Sequence, residues 1–531
     1  MDDKASAIVK RLSQQKALRE PHESTYRQCF DFSYPLRGDG FQGQVVGATD
    51  GQNKQAKILD STLTDSCDQL AASVVSGLTP SSSLWFGVDV DRSTDLDKKW
   101  LGEASDTLFK QIHSSNFDAE AYECMLDMIP AGYFALYVDE DKEKGGFSFQ
   151  QWPISQVYFT TTKPGKPVDT VFREYSLSAA QAVKEFGEEN LSDDIRKAAT
   201  DKPDTPFLFV HAIEPRKDYK EGSKLARNLP VASCHVEVKA KRVVRESGYH
   251  EMPVIIGRWR KINGRSEYTI GPVFNALPDA KELNELLFNE KAATDLAVAG
   301  MWIAEDDGVL NPRTVKVGPR KVIVANSVDS MKPLMTGADF NVSFTIKANL
   351  QAQIRRVMMA DQLPPMDGPI RTATEFNVRI AMIRQLLGPI FGRLMAEYLQ
   401  PLIERCFGIA YRKGSLGAAP ESIRGKRFTV KYISPMAKAQ RQEEVSAIER
   451  YTQNVGVMAQ LNPDVLDTVD FDIASEIVGD ALGVPAKVLR DKDAVAAIRK
   501  GRSDAQEQAK AEAVMAPAAQ QMAMNATGAM Q

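Results

Sequence analysis

Two helix-patterned stretches in the second half of the chain bracket a segment that cannot be helical, and few folds tolerate that order. Asp279–Ala304 (DAKELNELLFNEKAATDLAVAGMWIA) reads as a helix of about 25 residues, about 38 Å long at 1.5 Å per residue. Pro278 cannot continue a helix from upstream, so Asp279 is its expected cap. Residues 306–343 hold Gly308, Pro312, Gly318, Pro319, Pro333 and Gly337 around the β-like run KVIVAN, which implies a small β-containing excursion. Phe344–Met359 returns to helix, with Ile346, Leu350, Ile354 and Val357 as its stripe and Lys347, Gln351, Arg355 and Arg356 largely off it. A breaker-rich loop follows, Asp361–Arg371 (DQLPPMDGPIR). Thr372-Ala-Thr-Glu375 is a capping box: Thr372 caps a new helix and Glu375 reaches back. That helix should run over about Ala373–Phe407, with Phe376, Ile380, Ile383, Leu387, Ile390, Leu394, Tyr398 and Leu402 at three- and four-residue steps. Gly388-Pro389 lies inside it, so a kink is expected near residues 385–389.

The first half reads differently. Helical patterns over Asp3–Phe32 and Ile58–Gly77 flank a Gly-rich loop, and a third covers Asp95–Met128. The alternating run LWFGVDVD (84–91) and the short runs FALYVDED, FSFQQWP, VYFTT, PFLFVHAI, HVEVKAK and PVIIGRWR read as strands. Residues 1–270 are therefore a mixed α+β unit with antiparallel strands joined by turns. Beyond Ser434-Pro435, an N-cap followed by Pro at N1, the chain is helical to about Leu461, again over Asp472–Leu482 and over Ala494–Val514. The uncharged tail MAPAAQQMAMNATGAMQ has no usable periodicity and is expected to be disordered.

Composition narrows the function classes. A chain of 531 residues implies three or four structural units. Its 66 basic and 70 acidic residues leave a net charge of -4, against a general nucleic-acid-coating protein, which needs a net basic surface. Five scattered cysteines without a CxxC pair argue for reduced thiols and against a structural zinc site. No signal-peptide core and no membrane-span window stand out, so a soluble chain, intracellular when made, is expected. Gly165-Lys166 and Gly425-Lys426 run into Pro167 and Arg427, so neither supplies a phosphate-loop hydroxyl. The glycines at 38, 40, 43 and 47 have no strand–helix context, and no GxSxG elbow exists. The five histidines lack metal spacing. Cys234 and His235 should point to opposite strand faces, with His235 solvated. Asp89 and Asp91 share a strand face but have no third ligand. No catalytic, metal or cofactor residue is assigned, and no cofactor is expected.

The order of elements resembles the portal proteins of tailed bacteriophages, and the local sequence is similar to the head-to-tail connectors of short-tailed, podovirus-type phages. Gly77-Leu-Thr-Pro80 with Leu84-Trp-Phe86 resembles that family's helix-to-strand entry. Tyr268-Thr-Ile-Gly-Pro272 with Asn275-Ala-Leu-Pro-Asp-Ala-Lys281 resembles the approach to its first stem helix, although Ile270 stands where the family usually has Gly. Arg371-Thr-Ala-Thr-Glu375 resembles the start of its kinked helix, and Ala481-Leu-Gly-Val-Pro485 with Ala494-Val-Ala-Ala-Ile-Arg499 its C-terminal helical region. The resemblance implies an α+β portal fold: a wing over 1–278, stem helices over 279–304 and 344–360, and a clip over 305–343 between them. A channel loop over 361–371, a kinked wing helix and return strand over 372–433, a helical crown over 434–514 and a disordered tail over 515–531 complete it.

It also implies a ring oligomer, typically of twelve subunits, at one capsid vertex of the virion, assembled in the host cytoplasm, through which DNA is packaged and ejected. The implied partners are the terminase large subunit, tail or adaptor proteins, major capsid and scaffolding proteins, and double-stranded DNA held weakly and without sequence preference; no membrane is involved. The channel candidates are Lys347, Arg355, Arg356, Gln362, Met366, Asp367 and Arg371. Arg313, Lys316, Arg320 and Lys321 are candidates for an acidic partner at the clip. Net acidity suits a conduit, because a groove neutralising many phosphates would hold DNA and stall it. A scaffold would be mostly long charged helices, a tube subunit would not need the two-helix pattern, and a packaging ATPase would need the missing phosphate loop.

Overall fold

A computed structural model describes residues 2–38, 48–90, 94–143, 145–163, 165–223, 225–264, 266–299, 302–304, 324, 327, 329, 331–333, 340–362, 385, 387–423, 428–432, 435–460, 462–482 and 495–507. They fall into two compact units, Met1–Trp85 with Leu108–Ser415, and Phe86–Thr107 with Leu416–Gln531, fewer than the length suggests. The chain is a mixture of helix and strand, as expected.

The elements begin with α1 (Asp2–Ser33), α2 (Ala48–Gln55), α3 (Thr62–Leu78), β1 (Phe86–Asp89), α4 (Asp95–His113) and α5 (Phe117–Ala131). Next come β2 (Tyr133–Glu140), β3 (Phe147–Trp152), β4 (Val157–Thr160), β5 (Thr170–Ser178), α6 (Ala179–Phe186), α7 (Asp193–Asp201), β6 (Pro206–Pro215), β7 (Val231–Glu237), β8 (Arg242–Tyr249), β9 (Val254–Arg258), β10 (Arg260–Lys261) and β11 (Thr269–Ile270). Then follow α8 (Val273–Ala299), β12 (Trp302–Ala304), β13 (Met331–Pro333), α9 (Phe340–Val357), α10 (Pro389–Leu394), α11 (Gln400–Lys413), β14 (Thr429–Tyr432), α12 (Pro435–Ala459) and α13 (Phe471–Leu482).

In the first unit an antiparallel sheet in the order β4-β5-β6-β7-β8 is paired with a smaller sheet, β3-β2-β9. One face of the larger sheet, with Phe172, Val210, Ala212, Cys234 and Val236, is covered by Ala5, Ile8 and Leu12 of α1. The other face meets the smaller sheet through Trp152, Val157, Phe159, Val171, Ile213, Val254 and Ile256, joined by Tyr26 and Phe30 from the end of α1. Between those two ends Arg19 is buried. Its guanidinium donates to the carbonyls of Ile154 (2.9 Å), Ser155 (2.8 Å) and Val157 (3.0 Å) and to the Tyr158 hydroxyl (2.8 Å), which satisfies the carbonyls of the β3–β4 connection on its buried side.

Two helix boundaries differ from the sequence expectation for physical reasons. The pattern over Asp95–Met128 is two helices, because Asn116 bridges the β3 backbone. Its amide donates to the Phe149 carbonyl (2.7 Å) and its carbonyl accepts from the Phe149 N–H (3.0 Å). The helix expected from Asp279 begins at Val273, so Asp279 is no cap and Pro278 lies inside α8. A proline in a helix costs about 3 kcal/mol, but starting at Gly271-Pro272 buries Ala276 and also Val273 and Leu277, the last two worth about 1.5–3 kcal/mol each. The same helix stops at Ala299, and Trp302–Ala304, expected to be its end, is instead a strand paired antiparallel with Met331–Pro333. The approach to α8 is tight. Gly132 ends α5 at φ +85°, and a Cβ there would sit 2.3 Å from the Ile270 carbonyl carbon, while one on Gly271 would sit 1.9 Å from the Ile129 oxygen.

In the second unit β1 pairs antiparallel with β14, from Phe86↔Tyr432 to Asp89↔Thr429. The Val88 N–H donates to Ser105 Oγ (3.0 Å), which fixes the strand on α4. The helices α12 and α13 pack together, and residues 495–507 are helical. Tyr451, Val457, Met458, Phe471, Ile473 and Ile477 are exposed there.

Candidate functional site

The helices α8 and α9 pack on each other and on α3. Ala280 and Leu283 of α8 and Leu350 and Ile354 of α9 are buried, together with Leu63 of α3. Gln351 donates from Nε2 to Asp60 Oδ2 (2.7 Å), and Asn284 donates to the Lys57 carbonyl (3.1 Å), so both helices are pinned to the segment leading into α3. The two carry opposite charge: α8 has five acidic residues against two lysines, whereas α9 has Lys347, Arg355 and Arg356 and no acid.

Helical geometry, at about 100° per residue, divides α9 into directions. Ile354, flanked by Leu350 and Met358, marks the core-facing side. Phe344 and Ile346 stand about 80° to either side of it, and both are exposed, by 59% and 40%. Thr345, Asn349, Ala352 and Arg356 lie within about 40° of the opposite direction and are all exposed. The stripe expected from the sequence is thus rotated: Ile346 lies on a flank of the buried face and not within it. Lys347 lies only about 20° from Ile354 and is half-buried, while Arg355 and Arg356 are exposed. Among the described residues none of these three side chains has a carboxylate partner. Arg355 faces Asp65 and Asp361 across a cavity of about 350 Å³ also lined by Thr62, Ser66 and Gln69.

Gln362 ends a short turn, Ala360–Gln362. Met366, Asp367, Arg371, Thr372 and Glu375, and Arg313, Lys316, Arg320 and Lys321, lie outside the described residues, as do Asp91 and the tail. Gly388 has φ +45° and ψ −120°, and Pro389 opens α10. The chain then passes through a π-helical turn, Met395–Leu399, into α11. Arg258 holds that turn to β9 with two bonds of 2.7 Å to Glu397.

A family model described as bacteriophage head to tail connecting protein matches residues 5–489, which cover most of both units and the whole α8–α9 pair. The chain belongs to that connector family. Its curated relatives include a "Probable portal protein" of Bordetella phage BPP-1, 26% identical over 96% of this chain and 93% of that one. They also include a "Portal protein" of Salmonella phage epsilon15, 27% identical over 97% of this chain and 94% of that one. Among solved structures, the neck of an empty GTA particle computed with C6 symmetry matches at a TM-score of 0.34 and 13% identity, over 71% of this chain and 85% of that one, too loosely to bear on the connector's architecture.

One group of side chains escaped the sequence reading. His211 and His235 are buried, not solvated, and stack with ring centroids 3.8 Å apart. Burial, with Arg245 and Arg173 adding to it, holds His235 down to about 3. Burial, followed by His235 and the same arginines, holds His211 well below its ordinary value. Cys234 does point the other way, into the core under α1. All five cysteines are free and buried.

Proposed function

We propose that this connector assembles as a ring, typically of twelve copies, at one capsid vertex and that its α9 helices face the DNA passing through. The observation that carries this reading is the division of α9 into a core side, two apolar flanks and an outward polar side. Apolar flanks on both sides of one helix suit a neighbour on each side, the condition for a closed ring. The outward side offers a hydroxyl, an amide, a methyl and one arginine per copy. Such a surface repels no phosphate and neutralises few, so DNA slides and is not held. Arg356 is the channel cation; Arg355, beside the cavity with Asp65 and Asp361, and Lys347, turned toward the core, play the smaller part.

In this reading residues 1–278 are the wing, 279–304 and 344–360 the stem, with α8 starting earlier at Val273, and 305–343 the clip. Residues 361–371 form the channel loop, 372–433 the kinked helix and return strand, and 434–514 the crown. The clip, with Arg313, Lys316, Arg320 and Lys321, receives the terminase during packaging and tail or adaptor proteins afterwards, while capsid and scaffolding proteins surround the wing. Electron microscopy of the purified protein tests the ring. Class averages should show rings with a central hole and about twelvefold symmetry; a filament or a compact closed dimer would count against the assembly.

A further inference from the structure

Four adjacent strands place four basic residues directly opposite one another. The register pairs Arg173 of β5 with His211 of β6, His211 with His235 of β7, and His235 with Arg245 of β8. Arg173 and Arg245 end the row as cations with the two neutral histidines between them, and no acid stands in it. The row forms the floor of a cavity of about 630 Å³ between the two sheets of the first unit. Arg245 has a partner in Glu185 (2.9 Å) and donates to His235 Nε2 (3.3 Å), which leaves the His235 Nδ1–H for the Tyr175 hydroxyl (3.0 Å). Arg173 has no such carboxylate. Its Nε donates to Gln156 Oε1 (3.2 Å), and among the described residues its two terminal nitrogens make no hydrogen bond. The guanidinium is nonetheless held in place, 4.6 Å from the Trp152 ring centroid and 5.2 Å from that of Tyr175. Trp152 is also stacked by Tyr137 (4.8 Å, 12° between planes).

We propose that this row is a binding site for the carboxylates of an acidic protein segment, received by the open fork of Arg173 with Lys184 at the rim. A pre-positioned guanidinium with two unengaged N–H pairs matches a carboxylate in bidentate geometry. The Trp152 indole already packs against Arg173 and Tyr137, which leaves it less free to stack on a nucleobase. The cavity's volume exceeds what a lone phosphate fills.

Calorimetry on the full chain with an acetylated, amidated tetraglutamate peptide tests this, with deoxyadenosine monophosphate and inorganic phosphate as comparison probes. The peptide should bind, and both Arg173→Gln and Arg173→Lys should weaken it by at least about tenfold, the second keeping the charge but losing the fork. Should the Arg173 variants fail to fold, Lys184→Gln, at an exposed position, should still weaken binding by about threefold. If Arg173→Gln also dissolves the oligomer, the carboxylate belongs to a second copy, which supports the site and names its source. No binding of the peptide, binding unchanged in the variants, or preference for the nucleotide or for free phosphate overturns the proposal.

Discussion

His235 shows how a single side chain couples this fold to pH. Its neighbours are Arg173, Arg245, His211 and Tyr175, with Glu185 committed to Arg245, so nothing nearby favours the charged ring. The folded protein keeps the imidazole neutral down to about pH 3, whereas the unfolded chain protonates it near 6.5. Between those values the unfolded state binds more protons, so the stability it confers is complete above 6.5 and is lost as pH falls. From pH 7 to pH 5 that loss is about 2 kcal/mol for this one group, and His211 acts in the same direction. His235→Gln should lower stability at pH 7 through packing but flatten its pH dependence by about that amount, as read by urea unfolding at both pH values. A variant with the full slope of the parent would show that His235 takes up its proton in the folded state.

Helix and turn elements put opposite demands on glycine, and substitution should separate them. Gly271 lies where the turn into α8 crosses the end of α5, and the Ile129 carbonyl leaves no room for a Cβ. Gly271→Ala should therefore cost about 3 kcal/mol or more, since backbone and not a pliable side chain must move. Gly102 is exposed on α4, and an added Cβ there would meet nothing within 4 Å. It should behave oppositely, Gly102→Ala gaining about 0.5–1 kcal/mol. Thermal unfolding of the two variants beside the parent checks both signs. The sequence announced these elements unevenly. β3, with one apolar and one polar face, was legible from alternation, and β2 and β6 as short continuous apolar runs. β5 and β8 were not, because Arg173, Glu174, Arg245 and Glu246 interrupt the pattern on faces that line a cavity or meet solvent. The basic row was hidden for a further reason: its members are spread over residues 173–245 and meet only through pairing register. For α9 the helix and its cations were legible, but not which way they face. Apolar residues at Ile346 and Phe344 look like core in a sequence and stand exposed in a single copy.

Exposed apolar side chains of this kind bear on the whole assembly. Phe344 on α9 and Phe288 on α8 are 59% and 65% exposed, and large apolar side chains left on helices otherwise well packed mark a surface awaiting a partner. If neighbouring copies cover them, burying one phenylalanine contributes about 1.5–3 kcal/mol per interface, and a ring repeats that gain at every subunit. Replacing Phe344 with glutamate removes the contribution and adds a charge that must be desolvated. The side chain faces solvent in the single copy, so the fold itself should not suffer. Phe344→Glu should thus leave the thermal midpoint of the dissociated chain within about 2 °C of the parent while shifting the mass distribution from ring toward monomer. Mass photometry across a dilution series reads that shift directly. Rings that persist unchanged in both Phe344→Glu and Phe288→Glu would place the subunit contact on another face, with the exposed apolar residues of α12 and α13 as the next surface to vary.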